Sequence, residues 1–330
     1  MLVGIAGNTA CSHGQNTTES EENMKRRVAH IPVVIIALLA AVAIDAREQQ
    51  QPSDNSGWRP YRARYAIIVM SDGRNSDKYF WPVTSSMYGY LRQMGFAGQH
   101  IRFLAPSRYA ESHPDIVFDR ASETNIEKAY RWAKSVCTRR DLLYIFWISH
   151  GHALTFTTAG RPIEHTTLAR WMDPIEAKRI IGVYQPCLSG AVVDDISRKG
   201  VITTTSTDPG TNNNWPWAEN IAFALAGPPH CNRWMNPKHQ LEPARYPADR
   251  DGDGHVSITE AYIWVAKHRY TEGSMFDDNG DGSGGQWTRD SFDPNDPDKD
   301  GYIGMHYSLQ GFRPIESPPS AEDKPDPQND

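Results

Sequence analysis

The chain has 330 residues, of which 39% are hydrophobic and 22% are charged, and its formal net charge is −6. This composition is typical of a folded protein with a sizeable core, and it excludes a collagen, a coiled coil and a fully disordered chain. Because the overall balance is acidic, no nucleic-acid partner is expected. The charge is uneven along the chain, since acidic residues outnumber basic ones more than twofold from Asp249 onwards.

A secretory leader is predicted in residues 1–46. Met24 and three basic residues precede a short apolar run from Ile31 to Ala43, which is followed by small residues at the spacing of a signal-peptide cleavage site. The run is shorter than the roughly 20 residues that span a bilayer, so no stable membrane span is expected after cleavage, and a retained anchor is the alternative. Residues 1–23 precede an alternative start at Met24. The sequence therefore predicts an exported protein, periplasmic or extracellular.

Strands and helices alternate along a predicted domain at residues 59–230, which follows a polar linker at 47–58. Apolar runs predict strands, and amphipathic stretches predict helices. The predicted strands lie at 65–70, 101–105, 142–148, 179–184 and 201–205, and the predicted helices at 83–94, 123–136, 167–172 and 217–225. This alternation indicates an α/β fold with a mostly parallel sheet covered on both faces. Ligands of such sheets bind beyond the carboxyl ends of the strands.

Two of these strand ends carry residues suited to nucleophilic catalysis. His150 and Gly151 follow the strand at 142–148, and Cys187 and Gly190 follow the strand at 179–184. If the two strands are neighbours, the imidazole can take the proton of the thiol. Backbone N–H groups beside the glycines can then hold an oxyanion. The pair therefore predicts acyl transfer from an amide or ester.

The cysteine count also points to one reactive thiol. Cys11 would be lost with the leader, which leaves Cys137, Cys187 and Cys231, an odd number in an oxidising compartment. At least one thiol then stays outside a disulfide. Whether Cys137 pairs with Cys231 is left open by the sequence, because disulfide geometry depends on coordinates.

These motifs resemble those of the legumain-like cysteine peptidases of the caspase-like clan. The stretch IFWISHG ends in His-Gly, VYQPCLSG ends in a Cys-x-Ser-Gly turn about 35 residues later, and the Thr-rich VITTTSTDP follows. The resemblance covers roughly residues 62–227 and implies a caspase-like three-layer α/β/α sandwich. It also implies that His150 and Cys187 form a catalytic dyad, with the backbone amides of Gly151 and Cys187 as the oxyanion hole, acting on a peptide or protein substrate.

The sequence departs from the legumain pattern near both catalytic positions. Gln185 and Leu188 stand where the family carries acidic residues around the nucleophile. The family's Asn-x-Arg-His stretch is present only as Asp77-Lys-Tyr-Phe80, without the arginine, so asparaginyl specificity is not implied. Asp77 is a candidate to orient His150 as a third catalytic group, and the alternative is a solvated loop aspartate.

The acidic region predicted at 231–313 contains a calcium-loop motif. Residues 249–260 have carboxylates at positions 1, 3 and 5, glycine at 6 and Glu at 12, as in an EF-hand loop. Two partial copies lack the final Glu and are either weaker calcium loops or Asx turns. The candidate Ca²⁺ ligands are Asp249, Asp251, Asp253, His255, Ser257 and Glu260 in the first loop, and Asp277, Asn279, Asp281, Asp296, Asp298 and Asp300 in the copies. We therefore expect an EF-hand-like calcium-binding region, followed by a disordered tail at 314–330.

Three functions fit these features. The leading one is an exported cysteine peptidase stabilised by calcium. A transpeptidase or transamidase would use the same dyad, because an amine can replace water in resolving the thioester. A catalytically silent caspase-like module that binds calcium and a protein partner would not need a reactive thiol at Cys187.

Overall fold

A mostly parallel sheet organises the part of the chain that the structure describes. The computed structural model describes residues 57–71, 77–212, 216–236, 238, 240–267 and 273–315, which all belong to one unit spanning residues 56–330. The predicted leader, most of the predicted linker and the predicted tail beyond Ile315 lie outside these residues.

Seven strands form the main sheet among the described residues. They are β2 (Arg64–Met70), β3 (Ile101–Ala105), β4 (Asp119–Arg120), β5 (Leu142–Ile148), β9 (Arg179–Tyr184), β10 (Val201–Thr205) and β13 (Met275–Asp277). Their spatial order is β13-β10-β9-β5-β2-β3-β4, and every neighbouring pair is parallel except β10 with β13. Strand β5 is buried along its whole length, which explains its unbroken apolar sequence.

Shorter strands form three small sheets around this one. Strand β1 (Arg59–Pro60) pairs with β14 (Gly311–Phe312), and β11 (Arg233–Met235) pairs with β12 (Leu241–Pro243). Strands β6 (Gly151–His152), β7 (Thr155–Phe156) and β8 (Ile163–Glu164) form an antiparallel meander directly after β5.

Helices cover both faces of the main sheet. They are α1 (Asp77–Gln93), α2 (Ser107–Ser112), α3 (Glu123–Val136), α4 (His165–Met172), α5 (Val193–Ile196), α6 (Trp217–Ala226) and α7 (Ile258–Ala266). One core contains the buried faces of α1, α6 and α7, and the other contains those of α3 and α4. The predicted α/β architecture is thus confirmed. Within the described part of the chain, no helix combines the length and the apolar character needed to cross a bilayer.

Helix α1 begins six residues before its predicted start, because Pro82 lies inside the helix without interrupting it. Pro82 is the sixth residue of the helix, so it removes one intrahelical hydrogen bond, the one that an N–H at this position would donate to the Lys78 carbonyl. The Thr84 hydroxyl donates to the carbonyl of Phe80 at 2.8 Å and supports the backbone at this point. The Phe80 side chain is buried in the core, which keeps the first turns of α1 against the sheet.

The acidic region is part of the same fold. Strand β13 forms one edge of the main sheet, and α7 shares a core with α6. The pairing of β1 with β14 joins the two ends of the described chain. Residues 231–313 therefore contribute both a strand and a helix to the architecture of the α/β body.

The expected helix–loop–helix of an EF-hand is only half present. Helix α7 leaves the loop at 249–260, and a capping box between Ser257 and Glu260 begins it. The described residues between Leu241 and Ser257 contain strand β12 and irregular chain, and none of them is helical. Pro243 and Pro247 account for the missing first helix, because proline disfavours a helix interior.

Candidate active site

His150 and Cys187 follow neighbouring strands at the same edge of the sheet. Strands β5 and β9 are parallel, and their last paired residues are Trp147 and Tyr184. The N–H of Gln185 continues the ladder by donating to the Trp147 carbonyl at 2.9 Å. His150 and Cys187 each lie three residues beyond the Trp147–Tyr184 pair. The structure therefore brings the two predicted residues to equivalent positions on adjacent strand ends.

Gly151 lies directly against the backbone of Cys187. A Cβ atom placed on Gly151 would overlap the carbonyl oxygen of Cys187 and would stand 2.6 Å from Cβ of Pro186. Only glycine permits this approach, because any side chain would collide with backbone atoms that cannot rotate away. The chain after β5 and the turn that carries Cys187 are therefore in contact at this point.

The N–H of Gly151 points away from the hairpin that contains it. Gly151 stands opposite Phe156 in the antiparallel pair β6–β7, and the N–H of Thr157 donates to the carbonyl of His150 at 3.0 Å. Hydrogen-bonded and non-hydrogen-bonded pairs alternate in such a ladder, so the Gly151–Phe156 pair is of the second kind. An outward N–H beside Cys187 is suited to stabilise an oxyanion.

His150 has a firmly held backbone and an exposed ring. Its carbonyl accepts hydrogen bonds from the hydroxyls of Ser149 at 2.8 Å and Thr157 at 3.1 Å, in addition to the Thr157 N–H. The ring centroid lies 5.7 Å from that of Phe80 in α1. Because His150 is exposed, its imidazole is accessible to a substrate.

The turn after Cys187 is strained. Leu188 has φ 58° and ψ 21°, and among the described residues it alone, apart from glycines, has a positive φ. A left-handed leucine costs on the order of 1–3 kcal/mol, and such strain persists only where the surrounding structure enforces it. Here the Leu188 N–H donates to the Thr211 carbonyl at 3.0 Å, and the Ser189 N–H donates to the Thr207 hydroxyl at 3.0 Å.

The side chains that hold this turn were not predicted from the sequence. Ser206 donates to the carbonyl of Gln185 at 2.6 Å, and with Thr207 and Thr211 it belongs to the segment after β10. Three adjacent strand ends therefore build the site instead of two. The three consecutive hydroxyl residues from Thr205 to Thr207 are the signal that could have indicated this role, since buried hydroxyls need hydrogen-bond partners.

Gly190 serves the internal packing of the protein. A Cβ atom on Gly190 would stand 2.7 Å from backbone atoms of Asp208 and 2.7 Å from the sulfur of Met275 in β13. The sequence predicts that Gly190 lets the backbone approach a substrate. In the structure, Gly190 instead lets the backbone approach Asp208 and Met275 of the same chain. Strand β13 of the acidic region therefore packs directly beneath the turn that carries Cys187.

Cys187 is the accessible thiol among the three described cysteines, none of which forms a disulfide. Cys137 and Cys231 are buried in the cores on opposite faces of the sheet, so they do not pair. Burial raises the pKa of Cys137 to about 12 and also raises the pKa of Cys231. Both thiols are therefore protonated and shielded, whereas Cys187 is only half-buried.

The other candidate groups near the site are distributed differently. Asp77 begins α1, and its side chain lies outside the described part of the structure. His152 is exposed on β6. His165 is buried with its ring 4.4 Å from that of Phe156, and burial lowers its pKa to about 4. Among the described residues, neither histidine belongs to a group that could hold a metal ion.

The first acidic loop brings three predicted ligands together. Carboxylate oxygens of Asp249, Asp251 and Asp253 lie within 4.8 Å of one another and could hold a metal ion. Such a set of hard oxygen donors fits Ca²⁺. Glu260 closes the loop, because its carboxylate accepts N–H bonds from Arg250 at 3.0 Å and from Ser257 at 2.9 Å. The side chain of Ser257 is engaged in capping α7, and the ring of His255 stacks on Trp58 at 5.0 Å.

This loop also connects the two ends of the described chain. The indole N–H of Trp58 donates to Asp253 at 2.7 Å. The guanidinium of Arg313 forms an ion pair with Asp253 and approaches Asp251 at 3.4 Å. Because Trp58 precedes β1 and Arg313 follows β14, the loop reinforces the pairing of these two strands.

The second loop has the hydrogen bonds of the first. In both loops the carboxylate at position 1 accepts from the N–H groups at positions 4 and 6, at 2.8–3.1 Å. In both, the side chains at positions 3 and 5 accept from the N–H groups two residues later. Asp277 at position 1 of the second loop also accepts from the hydroxyl of Ser197, just after α5. Asn279 and Asp281 are thus placed as Asp251 and Asp253 are.

The third copy does not form a comparable loop. Asp300 is buried and accepts the N–H of Asp278 at 3.2 Å, whereas Asp298 is exposed. Asp278, which the sequence did not single out, accepts the N–H groups of Gly301 at 3.1 Å and Gly304 at 2.5 Å. Among the described residues, neither the second nor the third copy gathers three carboxylates as the first does, so Asp296, Asp298 and Asp300 do not converge on one point.

Comparison with known proteins adds no further constraint. No protein-family model matches the sequence, and no curated protein matches it. The geometry of the site is therefore the basis on which a function is assigned.

Proposed function

We propose that the chain is an exported, legumain-like cysteine peptidase with a caspase-like fold, in which His150 and Cys187 form the catalytic dyad. The observation that carries this proposal is the placement of both residues three positions beyond the same pair on adjacent parallel strands. The contact between Gly151 and the Cys187 backbone supports it, because the dyad and the oxyanion donors then share one edge.

The proposed reaction proceeds through a thioester. His150 takes the proton of the Cys187 thiol, and the sulfur attacks the carbonyl carbon of the peptide bond. The N–H groups of Gly151 and Cys187 stabilise the negative oxygen of the tetrahedral intermediate. The C–N bond then breaks, and the leaving amine takes the proton from His150. Water, deprotonated by His150, attacks the thioester and releases a carboxylic acid and the free thiol.

Transpeptidation is the second candidate reaction. An amine that attacks the thioester in place of water would form a new amide with the same residues. The half-exposed site at the sheet edge, with an exposed His150, is accessible to such a nucleophile. The ratio of hydrolysed to aminolysed product in the presence of an added peptide amine measures which reaction prevails.

Selective alkylation of Cys187 tests the proposed dyad. We expect iodoacetamide to label Cys187 in the native, calcium-loaded protein at least about tenfold faster than Cys137 or Cys231, whose burial and raised pKa suppress the thiolate. Peptide mapping by mass spectrometry at timed intervals measures the three rates, and the unfolded protein serves as the control in which they converge. Equal labelling, or an unreactive Cys187, would instead favour the catalytically silent binding module.

We further propose that the loop at 249–260 binds Ca²⁺ and stabilises the fold. The convergence of Asp249, Asp251 and Asp253 supports this assignment. Glu260, the last residue of the loop, accepts the N–H of Arg250 near the start of the loop. The contacts of Asp253 with Trp58 and Arg313 link the loop to β1 and β14. Bound calcium would therefore stabilise the fold, and this role does not require it to contact the substrate.

Calcium is expected to raise the free energy of unfolding by about 1–2 kcal/mol at a tenfold excess over its Kd. Thermal unfolding with 2 mM Ca²⁺ or with EDTA measures this shift. In Asp251→Asn the shift should largely disappear, whereas it should persist in the matched variant Asp298→Asn, which changes an exposed aspartate outside the cluster. If the wild-type protein has the same Tm with calcium and with EDTA, the proposed calcium site is wrong. That outcome would not bear on the proposed catalytic dyad.

A further inference from the structure

The segment that follows Cys187 is too short to hold its own conformation. Residues 189–192 form a short 3₁₀ helix, and α5 (Val193–Ile196) adds about one turn of α-helix. Isolated helices of this length are unstable in water, because the first turn fixes several backbone dihedral angles for a single hydrogen bond. Leu188, which precedes them, is held in the left-handed region. The conformation of this segment therefore depends on the chain packed against it.

Strand β13 and the residues after it, which we call the β13 loop (275–284), lie along this segment. The sulfur of Met275 would stand 2.7 Å from a Cβ atom placed on Gly190. The methyl carbon of Met275 would stand 2.7 Å from a Cβ atom placed on Gly284, and Cγ1 of Val193 would stand 3.4 Å from the same atom. Glycine at 190 and at 284 thus leaves the space that the Met275 side chain fills. Met275 is therefore packed against the turn that carries Cys187.

The same loop also contacts the residues just after α5. The hydroxyl of Ser197 donates to the carboxylate of Asp277 and accepts the N–H of Gly282 at 3.0 Å. Gly280 has φ +84°, and a Cβ atom placed on it would stand 2.6 Å from the carbonyl carbon of Arg198. Only glycine combines this backbone conformation with so close an approach. Ser197 therefore links the end of α5 to the β13 loop.

A chain of hydrogen bonds joins Met275 to the same turn through the end of β10. The Met275 N–H donates to the hydroxyl of Thr205 at 3.3 Å, and this hydroxyl donates to the carbonyl of Thr207 at 2.8 Å. The hydroxyl of Thr207 in turn accepts the N–H of Ser189 at 3.0 Å. Strand β13 is thus connected to the turn by hydrogen bonds as well as by packing.

We propose that Met275 and Ser197 are positioning residues, through which the β13 loop holds the thiol of Cys187 in line with His150. Both act on the backbone that carries the thiol, and a displacement of about 1 Å in a reacting group can lower a rate about 100-fold. The acidic region then contributes to catalysis as well as carrying the proposed calcium loop. The expected effect on turnover rests on the proposed peptidase function, whereas alkylation of Cys187 can be measured without any turnover.

Substitutions of Met275 test the inference. We expect Met275→Ala to slow iodoacetamide labelling of Cys187 at least about fivefold, because the thiol moves away from the base that activates it. It should also lower kcat for peptide cleavage at least about tenfold and leave KM within about twofold. Met275→Leu keeps a side chain of similar volume and should restore both rates to within about twofold of wild type. Ser197→Ala, which frees the end of α5, should lower kcat about fivefold.

Met87→Ala is the matched control, because it removes the same side chain from the core beside α1, where the Met87 sulfur accepts the hydroxyl of Tyr144 at 3.7 Å. It should lower Tm but change neither the labelling rate nor kcat of the folded protein, whose content is checked by circular dichroism. Equal losses in Met87→Ala and Met275→Ala would overturn the inference. A Met275→Ala protein with a lower Tm but unchanged labelling and kcat, or with only a higher KM, would also overturn it.

The two readouts separate this inference from the peptidase proposal. If wild-type Cys187 is labelled rapidly but no peptide is cleaved, the peptidase proposal is wrong. The labelling rates of Met275→Ala, Met275→Leu and Met87→Ala then still decide whether Met275 positions the thiol.

Discussion

Replacing His150 by alanine is expected to lower the rate of peptide cleavage by on the order of 10²–10⁴, because the thiol loses its base and the leaving amine loses its proton donor. Replacing Cys187 by alanine should abolish turnover, since no other described cysteine is accessible at the site. The measurement is the initial rate of release of a fluorogenic leaving group from an internally quenched peptide library in the presence of calcium.

Two variants provide matched controls for this prediction. His152→Ala removes an exposed histidine two residues away, on the adjoining strand β6, and should keep the rate within about twofold. Cys231→Ala removes a thiol that is fully buried in the core and should keep turnover in the fraction of protein that stays folded. Cleavage that survives in Cys187→Ala, or that falls equally in His150→Ala and His152→Ala, would exclude the dyad.

Replacing Gly151 by alanine is expected to lower cleavage at least about 100-fold. The added Cβ would overlap the carbonyl oxygen of Cys187 and clash with Pro186. Either the turn that carries Cys187 or the Gly151 N–H must therefore move. A displacement of about 1 Å in a reacting group, or the loss of one oxyanion donor, costs a factor of this size. The variant also tests whether the two strand ends meet as described.

Gly160→Ala is the control for this substitution. It lies in the loop between β7 and β8 of the same meander, and a Cβ there would meet only the Thr158 hydroxyl, at 3.9 Å. Circular dichroism and Tm separate a local effect at the active site from loss of the fold. A Gly151→Ala protein that is folded and fully active would show that the Gly151 backbone does not contribute to catalysis.

Sequence patterns were sufficient to locate the regular elements. The strands at 101–105, 142–148, 179–184 and 201–205 and the helix at 123–136 have the predicted bounds. Buried strands of a parallel sheet need continuous apolar runs, and helices on its faces need an apolar stripe, so both leave a local signature. The predicted strand bounds also put His150 and Cys187 at strand ends. Whether the two residues lie on adjacent strands depended on the pairing of β5 with β9, which the structure shows.

Features that depend on contacts distant in sequence were not predictable in this way. Strand β13 is only three residues long, and its pairing with β10 joins segments about 70 residues apart. The left-handed Leu188 is enforced by hydrogen bonds from the chain after β10, and a leucine carries no sequence signal for that conformation.

The sequence by itself thus determined which residues are apolar, where they repeat, and which chemical groups are available at each strand end. Only the tertiary structure decided that Asp249, Asp251 and Asp253 converge without an entering helix, and that the segment after β10 holds the turn that carries Cys187. Local periodicity reflects the burial of one segment at a time. Convergence of polar groups depends on how several segments pack together, and no single stretch of sequence encodes that packing.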